Sequence, residues 1–203
     1  MSHDVPRMSH FQDLRKLMAC ESDIANLERA HALTTTNRSQ GIAALVELAN
    51  KGSVMSMLYL AEAYYLGPNV DVPAAEFWFQ SAQKHDCSKA TYGLGVINYW
   101  SGRFDRAEEY FAEGASKNDP LCMYWLAHLR ISGSEYDEQF LAAEKLLRKS
   151  SALGSLRAKI VLGKFYVFGK YGMRKIPKGL FLLSSGIIQS FCVAWRDPSS
   201  WRL

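Results

Sequence analysis

Five histidines, four cysteines and a scatter of carboxylates are the side chains of this 203-residue chain whose types could support chemistry. The histidines are His3, His10, His31, His85 and His128. A histidine acts as a general base only with a nucleophile and an orienting group beside it. None of the five lies in a Gly-x-Ser-x-Gly or His-Glu-x-x-His frame. Cys20, Cys87, Cys122 and Cys192 are widely scattered with no Cys-x-x-Cys pair, so their spacing offers no zinc site. They read as reduced thiols serving as small apolar groups. Glu108, Glu109 and Glu113 fall at cap and solvent positions of a helical pattern. Gly93 and Gly95 lie inside another such pattern, without the strand-to-helix turn that a phosphate loop requires. The chain is expected to be no enzyme, and to hold no cofactor and no metal.

The regularity that does exist is structural. Leucine followed by alanine or glycine recurs at Leu60, Leu94, Leu126 and Leu162, at spacings of 34, 32 and 36 residues. A period in that range marks helical hairpins that bury their apolar faces on one another. Ser56, Ala90, Cys122 and Ala158 precede each leucine by four residues, and Ala61, Gly95, Ala127 and Gly163 follow it by one. Small groups there let a helix pack closely at its middle. Each of these first helices is predicted to stop at a glycine- or proline-bearing break: Gly67-Pro68, Ser101-Gly102, Ser132-Gly133-Ser134 and Gly169. Second helices follow in a common register. Their small residues are Ala75, Ala107, Ala143 and Gly179, with bulky pairs three and four residues on, such as Trp78-Phe79 and Leu182-Leu183. Eleven residues after each small residue comes a turn position: Asp86, Asn118, Gly154 and Ser190. The frame extends backwards onto Gly41 and Gly52. Pro73 and Pro177 suit helix starts, and Asp105 with Glu108 has capping-box spacing.

With Leu-(Ala/Gly)-x-x-Tyr-x-x-Gly in view, the chain resembles the Sel1-like repeat family, relatives of tetratricopeptide repeats. Gly95 and Gly163 match the family glycine, Tyr64 and Tyr166 the tyrosine, and Gly67, Gly133 and Gly169 the loop glycine. Asn98 and Arg130 depart from the tyrosine, and Ser101 from a loop glycine that slips to Gly102. The resemblance covers roughly residues 37–190. It implies an all-α fold, a right-handed α/α solenoid superhelix of helix-turn-helix repeats. Such proteins are usually non-catalytic scaffolds or adaptors, and bacterial members are linked to signalling or the cell envelope; a bacterial source is expected. The expected division is an N-terminal helical cap over 1–36, a half repeat over 37–52, and full repeats over 53–86, 87–118, 119–154 and 155–190. Residues 191–203 form a C-terminal tail.

The resemblance also implies that the first helices line the inner, concave side, where a protein or peptide partner would bind. Positions facing that groove include Tyr65, Tyr92, Val96, Tyr99, Trp100, Tyr124, His128, Ile131 and Lys164. Tyrosine and tryptophan suit the role, with large contact area and a polar tip.

Charge is unevenly placed. Residues 1–144 carry a net −7, while residues 145–203 carry +11 with Asp197 as their one acidic group. Lys170, Arg174, Lys175 and Lys178 therefore stand as candidates for an anionic surface. The uncharged stretch Gly179 to Trp195 fits a repeat helix, a membrane-surface helix or an anchor, although seventeen residues are few for a span. The alternative function is thus a peripheral membrane protein docked through its basic end. Nucleic acid is not expected, because the basic stretch carries no reading motif and the remainder is acidic; nor is a small-molecule substrate. The opening residues lack an apolar run after their charges, so no secretory signal is expected and the location is read as cytoplasmic.

Overall fold

The computed structural model describes residues 16–19, 21, 23–132, 138–167 and 176–196, with side chains up to 190 except at 132, 138 and 139. Among these the regular elements are helices, and we number ten of them: α1 Ile24–Thr36, α2 Arg38–Asn50, α3 Val54–Leu66, α4 Val72–Gln83, α5 Ser88–Trp100, α6 Phe104–Ser116, α7 Pro120–Ser132, α8 Glu138–Ala152, α9 Leu156–Val167 and α10 Ile176–Arg196. They fall into two compact units, with the division at Tyr110 and Phe111 inside α6. In the first unit α1 packs on α2, α2 on α3, α3 on α4 and α4 on α5. In the second, α7 packs on α8, α8 on α9 and α9 on α10.

The helices begin and end where short-range chemistry requires. Seven residues before each anchor leucine stand Ser53, Cys87, Asp119 and Ser155. The Ser53 side chain accepts from the Ser56 amide at 3.1 Å, and Ser155 Oγ from the Ala158 amide at 3.3 Å. Asp119 Oδ1 accepts from the Leu121 and Cys122 amides at 2.8 and 2.7 Å. Each supplies an acceptor for otherwise orphaned amides; Cys87 does not. After the second helices, Gly52, Asp86, Asn118 and Gly154 adopt φ values of 94°, 55°, 64° and 95°. This left-handed conformation is open to glycine and tolerated by Asp and Asn, so the repeated turn follows directly from residue type.

Two local expectations are corrected. Ser190 is no turn: it lies inside α10, its hydroxyl donating to the Gly186 carbonyl at 3.0 Å. With neither Gly nor Asn at that position, nothing favours leaving the helix there. Asp105 does not cap α6 but sits within its first turn, since the Arg103 carbonyl already accepts from the Ala107 amide. There it meets the positive end of the helix dipole.

The anchor leucines Leu60, Leu94, Leu126 and Leu162 are all buried, each contributing about 1.5–3 kcal/mol. In the second unit Ala127, Ala143, Leu147, Ala158, Leu162 and Tyr166 form one core cluster. Small residues set the helix spacing. A Cβ on Gly163 would lie 2.9 Å from Leu183 Cγ, and one on Gly186 would lie 3.0 Å from Ile160 Cγ1. These contacts draw α9 and α10 together. Cys87 and Cys122 are buried thiols outside any disulfide, and burial pushes the Cys122 thiol well up, with Asp119 adding to the shift.

Candidate functional site

In the first unit the groove positions divide by depth. Tyr65 on α3 and Tyr92 and Val96 on α5 are buried, so in this structure they are packing groups. They line a small, partly open space of about 20 Å³ with Glu62, Phe79, Lys89 and Gly93. Burial raises the Tyr65 hydroxyl to about 12. Tyr99 is half-buried, and Trp100 at the end of α5 is 51% exposed. The two rings meet edge to face at 5.3 Å, and Phe104 at the start of α6 meets Tyr99 at 5.6 Å. Tyr99, Trp100 and Phe104 thus form one aromatic edge around the turn at Gly102 (φ 74°), with Phe104 also exposed.

Near the start of α5 lies a buried ion pair. Lys89 Nζ is 2.5 Å from Glu62 Oε1, with Lys89 only 4% exposed. His31 on α1 stacks on Tyr59 with ring centroids 4.0 Å apart. Burial lowers His31, opposed by Glu62 and reinforced by Lys89. Burial, with help from Glu62, raises Tyr59 to about 12. Lys89 and Phe104 were not among the expected site residues. Lys89 had a partial signal: it lies five before the anchor leucine, where Met55 and Leu121 are core residues and Arg157 is a half-buried basic one. Elsewhere in this unit a broad cleft of about 640 Å³ runs past Arg38, Ile42, Tyr64, Val70 and Pro73. Arg38 Nη2 donates to the Ala63 carbonyl at 2.6 Å.

In the second unit Tyr124, His128 and Ile131 are half-buried on α7, while Lys164 on α9 is exposed. Tyr124 and Ile131 pack against the core cluster. Trp125, buried and stacked on Phe111 at 5.8 Å, brings Tyr124 and His128 into one aromatic group with centroids 5.7 Å from its own. Burial lowers His128. The family tyrosine Tyr166 is buried and joins two helices: it donates to Glu144 Oε1 at 2.7 Å and accepts from Arg148 Nε at 2.9 Å. Lys178 is exposed on α10, its ammonium 5.9 Å from the Tyr166 ring centroid. Lys170, Arg174 and Lys175 lie outside the described residues. Among the described residues no group of His, Cys, Asp and Glu is placed to hold a metal ion. No described helix is long and apolar enough to cross a membrane.

Two solved structures share this arrangement. A Sel1 repeat protein from Oxalobacter formigenes superposes with a TM-score of 0.64 at 19% identity, over 79% of this chain and 69% of that one. The fold is that of Sel1-repeat proteins. The second is c5321, a protective antigen of uropathogenic Escherichia coli with the same repeat fold. It gives a TM-score of 0.65 at 20% identity, over 79% of this chain and 37% of that one. No family model matches the sequence. A curated relative, chitin synthase regulatory factor 4 of Schizosaccharomyces pombe, is 27% identical over 110 residues. The match takes in 52% of this chain and 17% of that protein's length.

Proposed function

We propose that this chain is a non-catalytic interaction scaffold, working in the cytoplasm, that holds a protein or peptide partner through aromatic side chains on its first helices. The observation that carries the reading is the Tyr99–Trp100–Phe104 edge, where two large rings stand exposed at the end of α5 and the start of α6. Ordered, partly exposed aromatics of this kind supply binding area at little entropic cost. In the second unit Tyr124, His128, Ile131 and Lys164 offer a more modest set. Tyr65, Tyr92 and Val96 shape the floor beneath. The repeats from residue 53 to 190 are the binding units in this reading, and the partner needs no cofactor or metal.

Affinity capture with quantitative mass spectrometry tests this, comparing parent protein with Trp100→Ala and Tyr124→Ala. The reading requires a partner enriched by the parent and lost with Trp100→Ala while circular dichroism stays unchanged. A partner set indifferent to Trp100→Ala removes the aromatic edge from the function. Unfolding of that variant reassigns Trp100 to the core.

A further inference from the structure

The last helix differs from the other second helices in what it turns to solvent. One residue after the small position stand Glu76, Glu108 and Glu144, then Leu180. Eight residues after it come Gln83, Ala115 and Ser151, then Ile187; nine after it come Lys84, Ser116 and Ala152, then Ile188. In α4 and α8 the first of these positions makes polar contacts: Glu76 pairs with Arg103, and Glu144 with Tyr166 and Arg148. In α10 it is an exposed leucine.

Leu180, Phe181, Ser184, Ile187 and Ile188 follow helical spacing along one side of α10. Leu180, Phe181, Ile187 and Ile188 are 55%, 70%, 50% and 61% exposed. The opposite side is already used, since Gly179, Leu183 and Gly186 meet α9. Ser184, the polar member of the stripe, donates its hydroxyl to the Phe181 carbonyl at 3.1 Å. The stripe therefore asks little of a polar solvent. A continuous exposed apolar face marks a surface meant to be covered.

Charge and residue type choose the occupant. Lys178 stands at the start of the stripe, and Lys159 near its far end, its Nζ 2.9 Å from Gln189 Oε1. No acidic residue occurs from Lys145 to Arg196. A second copy docked face to face would bring together two segments of the same sign, which disfavours it. Among the described residues the exposed stripe is aliphatic and phenyl, without the Tyr, Trp or Arg that dominate protein hot spots. Leu, Ile and Phe with lysines at the edge is the composition of a helix lying in a membrane interface. We propose that the outer face of α10 docks on an anionic phospholipid surface. Leu180, Phe181, Ile187 and Ile188 enter the headgroup–acyl boundary, and Lys178 and Lys159 meet lipid phosphates. The helix lies on the surface and does not span it, because its other side stays packed on α9. This goes beyond the scaffold reading and uses none of its residues.

Flotation of the full chain with phosphatidylcholine vesicles, with and without phosphatidylserine, tests the proposal. The parent should float with the anionic vesicles at least about tenfold more than with neutral ones, and less as salt rises. Phe181→Asp with Ile188→Asp, both at exposed positions, should lose that binding with helicity unchanged; Lys178→Gln should weaken it and flatten its salt dependence. Trp100→Ala should leave it intact, which separates failure here from failure of the scaffold reading. If the double variant loses helicity, Phe181→Ser alone decides: unchanged flotation overturns the proposal. A parent that ignores anionic vesicles at about 50 mM salt, where screening is weak, overturns it. So does concentration-dependent dimerisation, or binding of polyglutamate without vesicle binding, abolished by the double variant; either would assign the face to a protein.

Discussion

Replacing Gly41 with alanine sets helix propensity against helix packing at a site where the two oppose each other. Gly41 lies within α2 and is buried against α1. An added Cβ would stand 2.7 Å from the Leu33 carbonyl carbon and 2.8 Å from Thr34 Cα, and closer still to the Thr34 nitrogen. These are backbone atoms, so no side chain can swing aside; the two helices must separate. In an isolated helix the substitution is favourable by about 1 kcal/mol. Overpacking in a fixed interface costs about 1–3 kcal/mol, and rigid backbone contacts put this site at the upper end. The net expectation is a loss of about 1–2 kcal/mol. In a chain of this length each kilocalorie lowers the melting temperature by about 2–4 °C, so a fall of roughly 2–8 °C should appear in far-ultraviolet dichroism. Gly179 holds the same repeat position, 2.8 Å from the Val167 nitrogen and 2.9 Å from the Gly163 oxygen, and should behave alike. If Gly41→Ala melts at or above the parent, propensity has won. The close α1–α2 approach would then be wrong.

Lys89→Met should destabilise by roughly 1–3 kcal/mol, below the usual cost of breaking a buried pair because Glu62 keeps some solvent contact. Adding Glu62→Leu should recover much of the loss, and strict additivity in denaturant titrations would refute the coupling. On the alkaline side, burial raises Tyr59 and Tyr65 to about 12 from an ordinary 10. The stability they carry is complete below pH 10 and is lost as pH rises through 12. Tyr65→Phe should flatten that decline. On the acid side, burial depresses His31 and His128, so their contribution is complete above pH 6.5 and falls as pH drops through their folded-state values. His128→Gln should blunt the acid limb, and an unchanged limb would show that His128 does not titrate in the folded protein.

Features governed by neighbours a few residues apart were legible in the chain. The leucine period, the small residues beside it and the turn positions Gly52, Asp86, Asn118 and Gly154 specify hairpins because helix starts, stops and packing stripes depend on local residue type. Ser190 shows the limit of that logic: it keeps the spacing but not the residue type, and the helix continues. What register alone could not decide was depth. Tyr92, Val96, Tyr99 and Trp100 all read as groove positions, yet two are buried, one half-buried and one exposed. The position of each depends on how far the neighbouring helix covers its turn. The Glu62–Lys89 pair joins residues 27 apart in sequence. The exposed stripe of α10 follows from which side α9 occupies, because Gly179 and Gly186 permit contact on one face and thereby leave Leu180, Phe181, Ile187 and Ile188 on the other. Sequence determined where the helices begin and turn, through hydrogen bonds and backbone conformations settled within a few residues. Tertiary packing decided which side chains meet solvent, because exposure depends on neighbouring helices as well as on the residue itself.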